Sequence, residues 1–111
     1  MKSRRGIPVV LLVALAASAC VSPAHRFAER AAERGLSVET VQGAGFRHVV
    51  FRAARAPSRT LHVYLDGDGI PWRLGRATAD PTPRDALVLD LMARDPAASL
   101  YLGRPCYHGL A

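Results

Sequence analysis

Two aspartates alternate with two glycines in the segment YLDGDGIPW, residues 64–72. Asp66 and Asp68 follow LHVYL, a run of bulky apolar residues that predicts a buried β-strand. Carboxylates at the end of such a strand could act as a nucleophile or bind a cation. The glycines would let backbone N–H groups approach a substrate closely. The segment therefore predicts a functional loop of one of these three kinds.

Metal binding has little support in the residue pattern. A calcium loop of the EF-hand type needs oxygen ligands at alternating positions and a distant Glu. Asp66 and Asp68 fit two of these positions, but Ile70 occupies the third and no Glu lies downstream. The chain has no Cys-x-x-Cys segment and no cluster of His and Cys at zinc-ligand spacing. We therefore expect no metal site and no cofactor.

A phosphoryl-transfer site is a second interpretation of the loop. An apolar strand followed by Asp-x-Asp-Gly resembles the first motif of the haloacid-dehalogenase-like phosphatases. The resemblance implies that Asp66 attacks phosphorus and that Asp68 acts as acid and base, with Mg²⁺ bound. Ile70 stands where that family has Thr or a similar small residue, and the later motifs of the family are not evident. An Asp-based phosphatase is therefore kept as an alternative.

The elements that would position this loop follow from caps, turns and periodicity. Ser22, Pro23 and Gly35 predict the cap, first residue and stop of an amphipathic helix. LSVETV and FRHVVFRA around QGAG predict a hairpin, and TLHVYL a central strand. Thr82 is the predicted cap of a helix in PTPRDALVLDLMARDP, with Leu87, Val88, Leu91 and Met92 buried, and SLYLG is a last strand. We expect an α/β fold whose mixed sheet combines an N-terminal antiparallel hairpin with one parallel crossover.

The third interpretation of the loop rests on the whole succession of elements. A hairpin, a strand ending in LDGDGIPW, a helix and then YLGRPCYHG resemble the N-terminal half of α/β-hydrolase-fold proteins, in particular bacterial lipoproteins of that superfamily. The resemblance implies that Gly67, Asp68 and Gly69 form the loop that donates an N–H group to the oxyanion hole of an esterase-like site. The aspartates would then fix the loop through hydrogen bonds to backbone. A small ester would be the substrate of the full-length protein.

The catalytic residues of that family have no counterpart in this chain. Its nucleophile elbow, Gly-x-Ser-x-Gly, is absent, because none of the serines at positions 22, 37, 58 and 99 has the two flanking glycines at that spacing. We therefore assign no catalytic residue and expect an inactive fragment, a partial α/β-hydrolase fold. Its final strand, residues 99–103, is predicted to lie at the sheet edge and to promote self-association. A non-enzymatic envelope lipoprotein that serves as a binding module is the main alternative.

The N-terminal segment predicts export and lipidation. A basic start, an apolar run and AASAC resemble the signal and lipobox of bacterial lipoproteins, so residues 1–19 would be the signal peptide and Cys20 would carry lipid. A linker, residues 20–24, would lead into the domain, residues 25–111. The predicted location is the cell envelope, on the periplasmic side of the outer membrane rather than on the inner membrane. The predicted partner is therefore a membrane, reached through the lipid.

The charge of the chain bears on nucleic-acid binding, and its cysteine content bears on disulfide formation. The formal charge is +6 for the whole chain. Residues 20–111 contain twelve arginines and nine acidic residues, so their formal charge is +3. These arginines are scattered and lack an aromatic platform, so we expect no nucleic-acid binding. Cys106 would be the second cysteine of an exported chain, either as a free thiol or in a disulfide.

Overall fold

A computed structural model describes residues 21–110 of the chain. Cys20 and the predicted signal peptide lie outside these residues. In chain order the elements are helix α1 (Pro23–Glu33), strands β1 (Ser37–Gln42), β2 (Arg47–Arg52), β3 (His62–Leu65), β4 (Trp72–Arg73) and β5 (Arg76–Ala77), helix α2 (Leu87–Ala93) and strand β6 (Ser99–Leu102). No helix in this part of the chain has the length and apolar character needed to cross a membrane.

Helix α1 begins and ends where its sequence predicts. The Ser22 hydroxyl accepts a hydrogen bond from His25 N at 3.2 Å, and Pro23 occupies the first turn. Gly35 follows the helix with φ of +69°, the left-handed conformation that stops many helices. The helix starts inside the segment predicted as a linker. It buries Phe27 and Ala31 against the sheet.

A four-stranded mixed sheet forms the centre of the fold, in the order β1-β2-β6-β3. Strands β1 and β2 are the predicted antiparallel hairpin, with Ser37 opposite Arg52 and Gln42 opposite Arg47. Strand β6 is antiparallel to β2 and parallel to β3, with Tyr64 beside Tyr101. The predicted α/β class, with an antiparallel hairpin and one parallel pair joined through a helix, is confirmed.

The predicted positions of two strands are wrong. Strand β3, expected at the centre, lies at the edge of the sheet, and β6, expected at the edge, lies between β2 and β3. Burial agrees with this order, because Ser99 and Tyr101 of β6 are buried while Val63 and Leu65 of β3 are 50% and 66% exposed. The two strands are similarly apolar, so composition could not distinguish the central strand from the edge strand.

The hydrophobic core lies on one face of the sheet, under both helices. Its buried members are Phe27, Ala31, Leu36, Val49, Phe51, Ala86, Leu89, Met92 and Tyr101. Phe51 and Tyr101 are adjacent across β2 and β6, and Tyr64 of β3 packs against the same cluster. Because side chains alternate along a strand, Val63 and Leu65 point to the opposite face.

Helix α2 is shorter than predicted and buries a different face. It begins at Leu87, after Ala86, whose side chain makes no cap. Thr82, the predicted cap, is buried and accepts a hydrogen bond from His108 N at 2.8 Å. Leu89 and Met92 are buried, whereas Leu87 and Leu91, both predicted to be buried, are 59% and 52% exposed. The tertiary contact of Thr82 therefore replaces the local cap, and the helix starts one turn later.

A two-stranded ribbon follows the glycine loop and was not predicted. Trp72 pairs with Ala77 and Arg73 with Arg76 around a turn of two residues. Leu74 and Gly75 in this turn have φ of 52° and 73°. Two positive φ values are the mark of the tight turn that suits the twist of a hairpin. Leucine is an uncommon residue at such a position, which is why the pattern did not predict it.

A carboxylate joins strand β3 to the end of α2. Asp95 Oδ2 lies 2.6 Å from His62 Nδ1 and accepts a hydrogen bond from Tyr64 Oη at 2.8 Å, while Oδ1 accepts one from Ala97 N at 2.8 Å. The contacts with His62, Ala97 and Tyr64, in that order of size, lower the pKa of Asp95 to about 2.

The low pKa of Asp95 predicts how stability changes in acid. The pKa of Asp95 in the folded protein lies below its value of about 3.9 in the unfolded chain. The Asp95 carboxylate therefore contributes fully to the free energy of unfolding above the unfolded pKa, and this contribution is lost as pH falls through about 2. Asp95→Asn should lower the urea midpoint at pH 7. The difference in midpoint between the variant and the wild type should disappear as the pH approaches about 2, the pKa of Asp95 in the folded protein. Asp85→Asn, at an exposed position, is the matched control. A difference between Asp95→Asn and wild type that does not change between pH 7 and this range would contradict the assignment.

Candidate functional site

The glycine loop, residues 66–70, lies at the carboxyl end of the parallel strand pair. Leu65 ends β3 beside Leu102, which ends β6. The segment after β6, residues 103–110, therefore starts at the same end of the sheet as the loop. In open α/β sheets this end is where ligands commonly bind. The fold thus places the loop at a position suited to a site.

Asp66 is the buried anchor of the loop. Its side chain is fully buried. Oδ2 lies 2.8 Å from His108 Nε2 and accepts a hydrogen bond from Arg104 N at 3.2 Å, while Oδ1 accepts one from the Tyr101 hydroxyl. Because both oxygens are engaged and shielded from solvent, Asp66 fixes the loop to the segment after β6.

His108 holds this carboxylate from inside an aromatic enclosure. Its side chain is 2% exposed, and its ring centroid lies 4.7 Å from that of Phe27 and 5.7 Å from that of Phe51. Among residues 21–110 its Nδ1 has no hydrogen-bond partner. Burial, followed by the hydrogen bond to Asp66, raises the pKa of the Tyr101 hydroxyl. The tyrosine is therefore kept as a neutral donor to the carboxylate.

A second carboxylate connects this network to helix α1. Asp80 Oδ2 accepts a hydrogen bond from Ala24 N at 2.8 Å, and Oδ1 accepts one from Thr82 N at 3.1 Å. Burial acts to raise the pKa of Asp80, but the hydrogen bonds from Thr82 and Ala24 outweigh it and the pKa is lowered. Since Thr82 also accepts from His108 N, a continuous series of hydrogen bonds runs from α1 to Asp66.

Gly69 is held against the backbone of the following segment. It has φ of +58°, and Ile70 N donates to Pro81 O at 3.0 Å. A Cβ atom at Gly69 would lie 1.9 Å from Pro81 O, which is closer than any real contact. At Gly67, by contrast, a Cβ atom would meet nothing within 4 Å. Of the two loop glycines, only Gly69 must therefore be glycine, because its φ is left-handed and a Cβ atom does not fit.

Three consecutive N–H groups in the loop are unpaired. Asp66 N and Ile70 N donate to Leu102 O and Pro81 O. Between them, the N–H groups of Gly67, Asp68 and Gly69 make no hydrogen bond within residues 21–110. Successive N–H groups that are free of backbone partners can serve as donors to an anion when a turn brings them to one side. The geometry therefore permits the loop to bind an oxyanion.

Asp68 takes a different role from Asp66. Its side chain is 88% exposed and lies 2.7 Å from Arg104 Nη1. The hydrogen bond with Asp68 raises the pKa of the Arg104 guanidinium, which stays a cation. Asp68 O accepts a hydrogen bond from Tyr107 Oη at 2.7 Å. These contacts fix the backbone of Asp68 and partly neutralise its charge beside the free N–H groups.

An open cleft of about 380 Å³ adjoins the loop. Apolar side chains and loop glycines form most of its surface, among them Gly67, Gly69, Ile70, Leu87, Val88 and Tyr101. Arg84 and Asp85 are exposed residues at the same cleft. No serine of the described chain lines it: Ser22 caps α1, Ser37 begins β1, Ser58 accepts from Thr60 N, and Ser99 is buried in β6. The cleft could therefore hold an apolar group beside the N–H groups, without a serine nucleophile in place.

The predicted site residues are found in two different settings. Gly67, Asp68 and Gly69 lie together on the loop, as adjacent residues must, and two of them line the cleft. Cys106 is an exposed free thiol with φ of 66°. Tyr101, Thr82 and His108 support the loop but were not predicted, because each is distant from Asp66 in sequence. The apolar run in SLYLG was a weak signal for Tyr101, and no feature of the residue pattern pointed to His108.

Within residues 21–110 no group of three or more His, Cys, Asp or Glu side chains is placed to hold a metal ion. Comparisons with models of protein families, with curated proteins and with solved structures gave no match.

Proposed function

We propose that this chain provides the oxyanion-binding part of an acyl-hydrolase site of the α/β-hydrolase type, carried by an envelope lipoprotein. The observation that carries the proposal is the run of free N–H groups at Gly67, Asp68 and Gly69 beside an apolar cleft. In acyl transfer such groups stabilise the negative charge that develops on the carbonyl oxygen. The mixed sheet, with its hairpin beside a parallel pair, supports the same class.

The buried position of Asp66 favours this proposal over the phosphatase alternative. An attacking carboxylate needs a free oxygen that can reach phosphorus. The side chain of Asp66 is fully buried, and both of its oxygens accept hydrogen bonds from Tyr101, Arg104 or His108. A small substrate would therefore have to displace the network that anchors the loop.

A non-enzymatic binding module is the second candidate, and one observation favours it. The cleft has no serine among its lining residues, so the described chain can bind an anion there without a serine that could attack it. The two candidates share the same anion site. They differ in whether a nucleophile completes it. Labelling of the full chain by a serine-directed phosphonate would indicate a nucleophile within this chain, and we expect none.

Anion binding can be tested through stability. Methylphosphonate is a tetrahedral oxyanion, and at roughly ten times its dissociation constant it should stabilise the full chain by about 1.4 kcal/mol. Sodium chloride at equal ionic strength should not do so. Gly67→Leu should remove the effect while keeping the fold, because the position has open space and borders the cleft. Equal stabilisation of the variant and the wild type would contradict the loop as the binding site.

The proposed location follows from the N-terminal sequence alone. Cys20 would carry lipid and hold the domain at an envelope membrane, with the outer membrane favoured because Val21 follows the cysteine. More than one acyl chain is needed for stable anchoring. Intact mass of the membrane-bound protein should show this modification, and Cys20→Ser should abolish it. An unmodified Cys20 in a product that retains Met1 would contradict the proposal.

A further inference from the structure

The free edge of β3 carries an exposed apolar stripe. Leu61 directly precedes the strand, and Val63 and Leu65 lie within it on the face away from the helices. The three side chains are 48%, 50% and 66% exposed. An edge strand with exposed apolar side chains and no neighbour on one side is a site where another strand can pair.

The backbone of the same edge is ready to pair. His62 N donates to Ala98 O and Asp66 N donates to Leu102 O, so these N–H groups point toward β6. Because N–H directions alternate along a strand, those of Val63 and Leu65 point outward, where no strand is paired among residues 21–110. The four-residue strand contains no proline or lysine, residues that commonly protect an edge.

We propose that β3 is the interface through which two copies of this chain pair as antiparallel strands around a two-fold axis. In an antiparallel pair, residues directly opposite each other lie on the same face of the sheet. We propose the register centred on Val63. In this register Val63 of one copy lies opposite Val63 of the other, and Leu61 of each copy lies opposite Leu65 of the other. All three residues of the apolar stripe are then matched with apolar residues, and two four-stranded sheets become one.

Strand β3 spans only His62–Leu65, so the segment available for pairing is short. The short edge predicts a weak dimer at the small end of the range of protein interfaces.

Cysteine cross-linking in the full chain tests both pairing and register. On a Cys106→Ser background, Val63→Cys should form a covalent dimer with itself, because the Cα atoms of opposed residues lie within disulfide range. Leu61→Cys and Leu65→Cys should each cross-link at least about fivefold less alone than in an equal mixture, since they oppose each other and not themselves. Equal cross-linking at all three positions would indicate random collision and overturn the proposal.

Sedimentation of proline and isoleucine variants tests the role of the edge backbone. Val63→Pro removes an outward N–H group and leaves the bonds to β6 intact, so it should abolish the dimer while the circular dichroism spectrum is retained. Val63→Ile keeps the N–H group and should dimerise as wild type does. A monomer at all concentrations, or a dimer that Val63→Pro does not change, would show that β3 is not the interface.

Discussion

Asp66→Ala should destabilise the protein by about 3–5 kcal/mol, the usual cost of removing one partner from a buried charged or strongly hydrogen-bonded pair. The substitution leaves the Tyr101 hydroxyl, Arg104 N and His108 Nε2 without their acceptor, in a region where His108 is 2% exposed. Since small domains have a total stability of about 5–15 kcal/mol, much of the variant should be unfolded at modest urea concentrations. Urea unfolding followed by circular dichroism measures this difference.

Asp68→Asn is the matched control for Asp66→Ala. Asp68 is in the same loop, but its side chain is 88% exposed and its ion pair with Arg104 is at the surface. The control should stay within about 0.5 kcal/mol of wild type. If Asp66→Ala were as stable as Asp68→Asn, the buried network would not anchor the loop. The structural role assigned to Asp66 would then be wrong.

Gly69→Ala is the second substitution with a large expected effect. A left-handed φ costs a residue with a Cβ atom about 1–2 kcal/mol, and the new methyl group would also lie 1.9 Å from Pro81 O. The loop must then move away from residues 81–83, which breaks the hydrogen bond from Ile70 N to Pro81 O. We expect a total loss of about 3 kcal/mol or more.

The other glycine of the loop provides the comparison. Gly67 does not have a positive φ, and a Cβ atom there meets nothing within 4 Å. Gly67→Ala should therefore be neutral or should stabilise by up to about 1 kcal/mol, because alanine restricts the unfolded chain. Urea unfolding should therefore show a large loss of stability for Gly69→Ala and no loss for Gly67→Ala, two residues away. Equal losses at both positions would contradict the geometry of the loop.

Local signals in the sequence were sufficient for part of the fold. The caps of α1 act within a few residues of one another, and so do the strands of the β1–β2 hairpin, so both elements could be predicted from composition and spacing. The end of α1 at Gly35 and the start at Pro23 agree with those signals. The parallel pair also followed from the order of a strand, a helix and a strand.

The order of strands in the sheet could not be predicted in the same way. The rules for crossovers fix their handedness but do not say which strand of the parallel pair lies beside the hairpin. Strand β6 takes the central position because Val50 pairs with Leu102 and Phe51 with Tyr101. Both contacts join residues that are far apart in the chain. The apolar character of β3, which suggested a central strand, is found at the edge, in side chains exposed to solvent.

Distance along the chain also explains what was predicted of the site. The glycine loop could be recognised because strand, aspartates and glycines are contiguous. The residues that hold the loop could not be recognised, because His108 meets Asp66, and Thr82 meets His108, only in the folded chain. Thr82 carries a helix-cap signal, and the hydrogen bond from His108 N overrides it. Local propensity was therefore reliable where no distant group competed for the same atom.

The most direct test of the central claim follows the backbone amides of the loop. Methylphosphonate should be titrated into the ¹⁵N-labelled full chain in detergent, with chloride at equal ionic strength as the reference. The amide signals of Gly67, Asp68 and Gly69 should shift and saturate together, since their N–H groups are free to donate. The signals of Gly35 and Gly75, which lie in other turns, should not move. Unchanged loop amides at saturating anion, or shifts confined to other parts of the chain, would contradict the proposal that this loop binds an oxyanion.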